Sequence, residues 1–272
     1  MRLVDIRRYP VKSLRGHSLH EASVERIGLS GDRRWMIVDE TGRFLTQRQY
    51  PKLAQIDAVP TTTGIALRHA TFGAIEVEIP DERAPAETVV VWRDAVPARV
   101  AEPAGPYLSA FLQKEVRLVY LYAVADRLVD PAFGRAEDRV SFADGFPLLI
   151  TLTASLDDLN RRLDAPIAMD RFRPNLVVDG APAWAEDKWR RLRIGGLSFR
   201  VVKPCARCAI PTLDPQTGEA LAGNEPLRAL GAFHRAANGG IIFGQNAIPD
   251  EVGALAVGDT VEVVESGPSN LF

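Results

Sequence analysis

The stretch Leu19–Gln49, LHEASVERIGLSGDRRWMIVDETGRFLTQRQ, decides the fold class. Trp35–Asp39 is a short apolar run, Glu40-Thr41-Gly42 is a turn, and Phe44–Gln47 is a second short run. Two such runs across a glycine-containing turn predict a β-hairpin. The same reading extends outward. Residues 54–80, AQIDAVPTTTGIALRHATFGAIEVEIP, break into further short strands at Thr, Gly and Pro. Residues 87–102, ETVVVWRDAVPARVAE, add two more. Short, closely spaced strands predict a barrel or sandwich.

The second part of the chain is mixed. GPYLSAFLQ (105–113) predicts a short helix and VRLVYLY (116–122) a strand. Residues 124–146 are polar and rich in Asp and Arg, which predicts a long loop, and long loops are often functional. TASLDDLNRRL (153–163) predicts a helix: Ser155 and Asp158 match a capping box, and Leu156, Leu159 and Leu163 share a face. RRLRIGGLSFRVVKP (190–204) predicts a hairpin about Gly195-Gly196. EPLRALGAFHRA (225–236) predicts a helix and DTVEVVE (259–265) a final strand. A boundary falls near residue 120, with no flexible linker.

Composition narrows the class. The 272 residues carry a formal net charge of −2, so no global basic field suits a nucleic-acid polymer. No apolar run reaches the roughly 18–20 residues that cross a bilayer. The opening MRLVDIRRYPVKS has charges at once and no apolar core of a secretory signal. These features predict a cytoplasmic protein with no membrane partner, whose two cysteines are free thiols.

Those cysteines, Cys205 and Cys208, lie in VVKPCARCAIPTLDPQTGE (201–219). A structural zinc site needs four ligands, and one Cys-x-x-Cys supplies two. His17, His20, His69 and His234 show no paired spacing to complete it. A thioredoxin-like dithiol opens a helix, whereas Pro211 and Pro215 follow here. Buried, inert thiols are the plain structural alternative. The flanking Lys203 and Arg207 favour thiolate, and a single thiolate suits a soft or high-valent metal carried by an organic cofactor. The residues alone leave these alternatives open.

Four motifs occur in order: YPVKSLRG (9–16) with LSGDRRWMIVDETGRFLTQRQYPKL (29–53), FRPNLVV (172–178), KPCARC with LDPQTGE (203–208, 213–219), and FGQN (243–246). Together they resemble the MOSC-domain proteins that carry an N-terminal MOSC β-barrel domain. That family includes amidoxime-reducing components and bacterial reductases of N-hydroxylated bases. The resemblance covers nearly the whole chain. It implies a mainly β fold with some α, residues 1–120 forming the MOSC N-terminal β-barrel domain and 121–267 the MOSC β-barrel domain packed against it.

It also implies a molybdenum–pyranopterin cofactor and N–O bond reduction. The matching metal-ligating and catalytic residue is Cys208, with Ala206 and Arg207 beside the cofactor. Cys205 is expected to be a packed thiol or one that stands beside the metal ligand without binding the metal. Lys12 and Ser13 are implied as cofactor contacts, where the plain alternative is a solvated basic loop. Arg33 is implied likewise, against a surface pair with Asp32 or Asp39; Arg34 carries no role. Arg173 before LVV is implied as an anchor, with Asn175 behind it. Asp144, Gly145 and Phe146 fall where the family contacts the cofactor, although Gly and Phe replace small hydroxyl residues. Gln245 and Asn246 can read a pterin edge. Asp214, Thr217 and Gly218 fit a turn.

Some relatives carry an iron–sulfur domain or a membrane anchor. Two cysteines cannot supply the four ligands of a cluster, and no Gly-x-Gly-x-x-Gly opens a helix. The expectation is therefore a small N-hydroxylated substrate and electrons from a separate flavin or iron–sulfur protein. A non-catalytic carrier of the cofactor, or of sulfur for it, predicts the same anchors.

Overall fold

A computed structural model describes residues 1–122 and 127–271. The fold is mainly β, 41% strand and 16% helix. The largest sheet has eight strands, ordered Val261–Ser266, Trp189–Ile194, Leu197–Ala206, Ile242–Pro249, Leu148–Leu152, Leu176–Asp179, Arg2–Arg8 and His17–Leu19. Leu148–Leu152 and Leu176–Asp179 run parallel; the other neighbours are antiparallel. Leu3 N donates to Asp259 O and Val261 N to Met1 O, so the sheet curls until its first and last segments meet. Curling buries apolar residues of the inner strands in one core: Leu3, Ile6, Ile150, Leu176, Leu192 and Phe199.

A four-stranded sheet (Trp35–Asp39, Val116–Tyr120, Asp94–Val100, Ala86–Val91) and a three-stranded one (Asp57–Pro60, Gly64–His69, Gly73–Glu78) make the other half. The helix Ala104–Leu112 covers their shared core through Leu108, Phe111 and Leu112. The last sheet joins Gly253–Ala256 to Glu21–Glu25 and Gly28–Leu29. The first 29 residues thus build on strands from the end of the chain, because Leu3, Ile6, Val24 and Leu29 find their apolar partners there. No helix among the described residues is long and apolar enough to cross a membrane.

Most expected elements form, with helices at Ala104–Leu112, Thr153–Asn160 and Leu227–Phe233. The Gly195-Gly196 hairpin forms with both glycines left-handed. Two details differ. The arm after Gly42 pairs with Trp35–Asp39 only at the Val38–Phe44 bridge, then crosses so that Phe44 N bonds Val90 O. The capping box does not form. The second helix begins at Thr153 after Leu152, and Ser155 donates its hydroxyl to Glu186 instead, 2.9 Å away. A buried carboxyl outcompetes the helix terminus for that hydroxyl. The expected loop is irregular over 127–146 apart from a Leu128–Arg139 bridge; its residues 124–126 lie outside the described residues.

Candidate functional site

Between the two halves lies a cleft with ≈ 830 Å³ of empty space, counting its open mouth. Its walls come from the chain's first loop, the strand start at Arg33, the 143–149 segment, the turn at Phe172–Asn175, and residues 205–210. Eleven of the twelve site residues named from sequence line it: Lys12, Ser13, Arg33, Asp144, Gly145, Phe146, Arg173, Ala206, Arg207, Cys208 and Asn246. Gln245 does not. Side chains alternate along the strand Ile242–Pro249, so Asn246 faces the cleft while Gln245 is fully buried behind it. There Gln245 donates to Asp187 (2.8 Å) and accepts from Asn270 (2.7 Å).

Backbone strain gathers here. Ser13 (φ 69°), Arg33 (φ 47°) and Arg173 (φ 54°) are left-handed without being glycine. Each such residue costs on the order of 1 kcal/mol and persists where its surroundings hold it, often at functional sites. The arginines are held by Tyr9, whose ring centre lies 4.4 Å from the Arg33 guanidinium and 4.2 Å from that of Arg173. Gly16 makes room for that ring, since a Cβ there would sit 2.2 Å from Tyr9. The glycine of YPVKSLRG therefore serves a packing need two side chains away from the cleft.

The charges fall into two groups. Lys12 and Arg33 are neutralised: Lys12 Nζ reaches Asp144 (2.5 Å) and Phe142 O (2.8 Å), and Arg33 pairs with buried Asp32 (2.5 Å). The Arg33–Asp32 pair expected as the plain alternative is thus present, and Arg33 still lines the cleft. Burial lowers the Lys12 pKa, and Asp144 only partly restores it. Burial pushes Asp144 up, but Lys12, the Trp92 N–H and Arg33 outweigh it and hold the carboxyl well below the usual range. Arg48, Arg173 and Arg207 have no carboxylate partner among the described residues. Arg173 donates to Leu14 O (2.9 Å) and stays charged, although burial lowers its pKa to about 10. Arg207 bonds Phe172 O (2.8 Å), and its Nε is buried without a partner. Guanidiniums without carboxylates, facing a cleft, are anion receptors.

Both thiols are free and partly exposed in this cleft. Of the two expectations for Cys205, packing is not seen; it stands on the cleft wall with Cys208. Arg207 Nη1 donates to its sulfur at 3.0 Å, and the strand Leu197–Ala206 ends there, leaving it on the wall. Among the described residues no group of three or more His, Cys, Asp or Glu can hold a metal ion, so a zinc site built from this chain alone is not present there. Asp214 forms the expected turn, accepting from Gln216 N and Thr217 N.

Sequence reasoning missed Thr46, Arg48 and Phe172 as cleft residues, and Arg127 behind it. Arg127, 3% exposed, donates to Ser141 O, Ala143 O and Asp144 O and so fixes the backbone of the 141–144 wall. The Asp/Arg-rich composition of that loop was its one visible signal.

These features define a two-domain protein with a cationic, thiol-bearing cleft between β-barrels. Residues 1–115 match the MOSC N-terminal beta barrel domain and residues 137–262 the MOSC domain. The mitochondrial amidoxime-reducing component 1 of Mus musculus is 32% identical over 271 residues, covering 93% of this chain and 79% of its own. The Homo sapiens protein of that name is 30% identical, covering 93% and 80%. The mitochondrial amidoxime reducing component 2 of Bos taurus is also 30% identical, covering 93% and 80%. The chain belongs to this family of MOSC proteins, whose relatives above bear the name amidoxime-reducing component. Among solved structures, the YUAD protein of Bacillus subtilis aligns over 96% of this chain at 11% identity with a TM-score of 0.43, too distant to carry an argument.

Proposed function

We propose that the cleft holds a molybdenum–pyranopterin cofactor and that the protein reduces N-hydroxylated compounds, among them amidoximes and hydroxylamines, by cleaving the N–O bond. One observation carries the reading: a partly exposed thiol, Cys208, shares a cleft with three guanidiniums that lack carboxylates. A phosphate-bearing cofactor answers the guanidiniums, and a thiolate-ligated metal answers the thiol. Arg173 and Arg207 would hold the anionic end. Lys12, with one N–H left after Asp144 and Phe142, and Asn246 would meet the polar ring system. Cys208 would ligate the metal. When bound, such a cofactor supplies two-electron chemistry at the metal.

The residues around it do the remaining work. They orient the bound group and set the charge of the cleft. Among the described residues Asp144 is the only carboxylate on the cleft wall, and it is held ionised. It is a poor acid at neutral pH, so the protons for N–O cleavage come from water. Both cysteines line the cleft, leaving none in these 272 residues for an iron–sulfur cluster. Electrons then come from a separate flavin or iron–sulfur protein.

The test is turnover by cofactor-loaded protein. NADH or NADPH alone should give no reduction of an amidoxime. A reduced viologen should give the amidine, and Cys208→Ser should abolish both the metal content and the reaction while Cys205→Ser keeps most of each. If the fully loaded protein turns over no N–O substrate with the viologen, a non-catalytic cofactor or sulfur carrier is the better reading.

A further inference from the structure

Three of the stretches singled out in the sequence meet outside the cleft: Arg15 of YPVKSLRG, Pro51 of QYPKL and the turn LDPQTGE (213–219). The turn is a closed hairpin. Leu213 bridges Ala220, Asp214 N donates to Glu219 O (2.7 Å), and Asp214 Oδ1 accepts from Gln216 N and Thr217 N. Its base is held from within its own half, where buried Arg171 donates to Leu213 O (2.7 Å) and Asp214 Oδ2 (3.2 Å).

Its tip crosses to the other half. Gly218 is left-handed at φ 79°, and a Cβ on it would sit 2.3 Å from the Pro51 carbonyl oxygen. Gln55 Nε2 donates to Thr217 O and Arg15 Nη2 to Gln216 O, both at 2.9 Å. His69 aims the Gln55 amide. Its Nδ1 accepts from Thr71 N and Phe72 N, so Nε2 carries the proton and donates to Gln55 Oε1 at 3.2 Å. The N–H groups of Gln55 are thereby turned toward the hairpin.

This contact sits where the two cleft walls converge. Arg48 on one wall is three residues before Pro51, and Ile210 on the other is three before Leu213. The bonds at the base of the hairpin are shielded, whereas both at its tip face water, which can replace them. A rigid finger, fixed at its base and gripping through exchangeable bonds, can let go without unfolding.

We propose that the 213–220 hairpin is a clasp between the two halves, and that its tip leaves Pro51–Gln55 to let the cofactor into and out of the cleft. The proposal rests on the cofactor reading given above and adds how the cleft is loaded. A cleft whose walls belong to two halves widens when they part, and this contact resists the parting.

The experiment follows exchange in both directions. Its probe is the molybdenum–pyranopterin cofactor freed from a donor molybdoenzyme, detected by the fluorescence of its oxidised pterin. Gln55→Ala removes one tip bond and should speed uptake and release alike, by roughly 2- to 12-fold, as loss of one hydrogen bond allows. Affinity should then change little. Gly218→Ala, which forces the hairpin off Pro51, should move both rates in the same direction. Arg173→Ala, by contrast, should speed release alone. A second measurement needs no cofactor, because Cys205 and Cys208 on the cleft wall report its width. A bulky fluorescein maleimide should label the Gln55→Ala and Gly218→Ala proteins faster than wild type, while small iodoacetamide labels all three at one rate. Variants that match wild type in both exchange and labelling overturn the clasp and leave the cofactor reading standing. Faster release with unchanged uptake and labelling also overturns it, and makes the hairpin an ordinary anchor. Faster fluorescein labelling in proteins that take up no pterin would keep the clasp and sink the cofactor reading instead.

Discussion

Arg173 shows how much one side chain contributes here. Its backbone is left-handed, its guanidinium lies over Tyr9, and it faces the cleft with one carbonyl as its hydrogen-bonded partner. No carboxylate among the described residues pairs with it. Removing a charge-assisted contact costs about 1.5–3 kcal/mol. Arg173→Ala should therefore weaken cofactor retention roughly 10- to 150-fold. Pterin fluorescence of the protein fraction after dilution and gel filtration measures this. The melting temperature should change little, because the left-handed backbone is no harder for Ala than for Arg. Unchanged retention would remove Arg173 from the anchor set. Arg33 makes the contrast, since Asp32 and Asn175 already occupy it (2.5 and 2.9 Å). Its part is to hold the wall as much as to meet a ligand.

Among the elements, the strand Ile242–Pro249 is the one on which the site turns. It pairs with both Leu197–Ala206 and Leu148–Leu152, so it links the thiol segment to the 143–149 wall. The glycine of its FGQN motif has a structural cause. Gly244 is left-handed at φ 76°, and a Cβ there would lie 2.8 Å from Ile150 O. Gly244→Ala should destabilise the protein by about 1–3 kcal/mol. It should also disturb the placement of Asn246 without touching Gln245's contacts first. Chemical denaturation measures the loss, and a stability equal to wild type would show that the strand can shift at no cost. Sequence alone treated Gln245 and Asn246 as a pair. The pleat separates them, because neighbours on a strand point to opposite faces.

At the scale of the whole molecule, Gln245 belongs to a buried polar network that ties the chain end to the main barrel. Asp187 accepts from His234 Nε2 at 2.8 Å, and His234 Nδ1 lies 2.9 Å from Ile242 O. Both ring nitrogens then donate, so the imidazole is charged in this arrangement. Burial works against that charge, yet Asp187 and the Ile242 carbonyl outweigh it and raise the His234 pKa. Next to it, burial lifts the Glu186 carboxyl to about 7, and one of its oxygens has no partner. Both groups bind protons more tightly folded than unfolded. Their stabilisation is complete below the unfolded values and is lost as pH rises through the folded ones. Glu186 accounts for about 3 kcal/mol between pH 4.5 and 7 or above, from 2.5 pH units at 1.36 kcal/mol each. The melting temperature should fall by several degrees from pH 5 to pH 8, and Glu186→Gln should flatten that fall. An equally steep profile in the variant would show that Glu186 is ionised in the folded protein throughout.

The order of motifs and the alternation of short apolar runs were enough, in the sequence, to point to the family, the β character, three helices and a set of twelve site residues of which eleven line the cleft. These features are local, and local chemistry leaves a local trace: turn glycines, strand periods, a Cys-x-x-Cys. Other features depended on which surfaces meet. The first strand joins the last because Leu3 and Ile6 complete a core made mostly of residues beyond 147. Ser155 left its expected cap because Glu186 folds against it. Cys205 is open to the cleft and touched by Arg207, which no spacing indicated. Thr46 and Arg48 reach the site across the barrel interface, from a segment that reads as an ordinary hairpin. Sequence fixes what each strand can bury and where it can turn. Only the packing of the two barrels decides which side chains share a cleft, because burial energy depends on the whole complementary surface rather than on any one element.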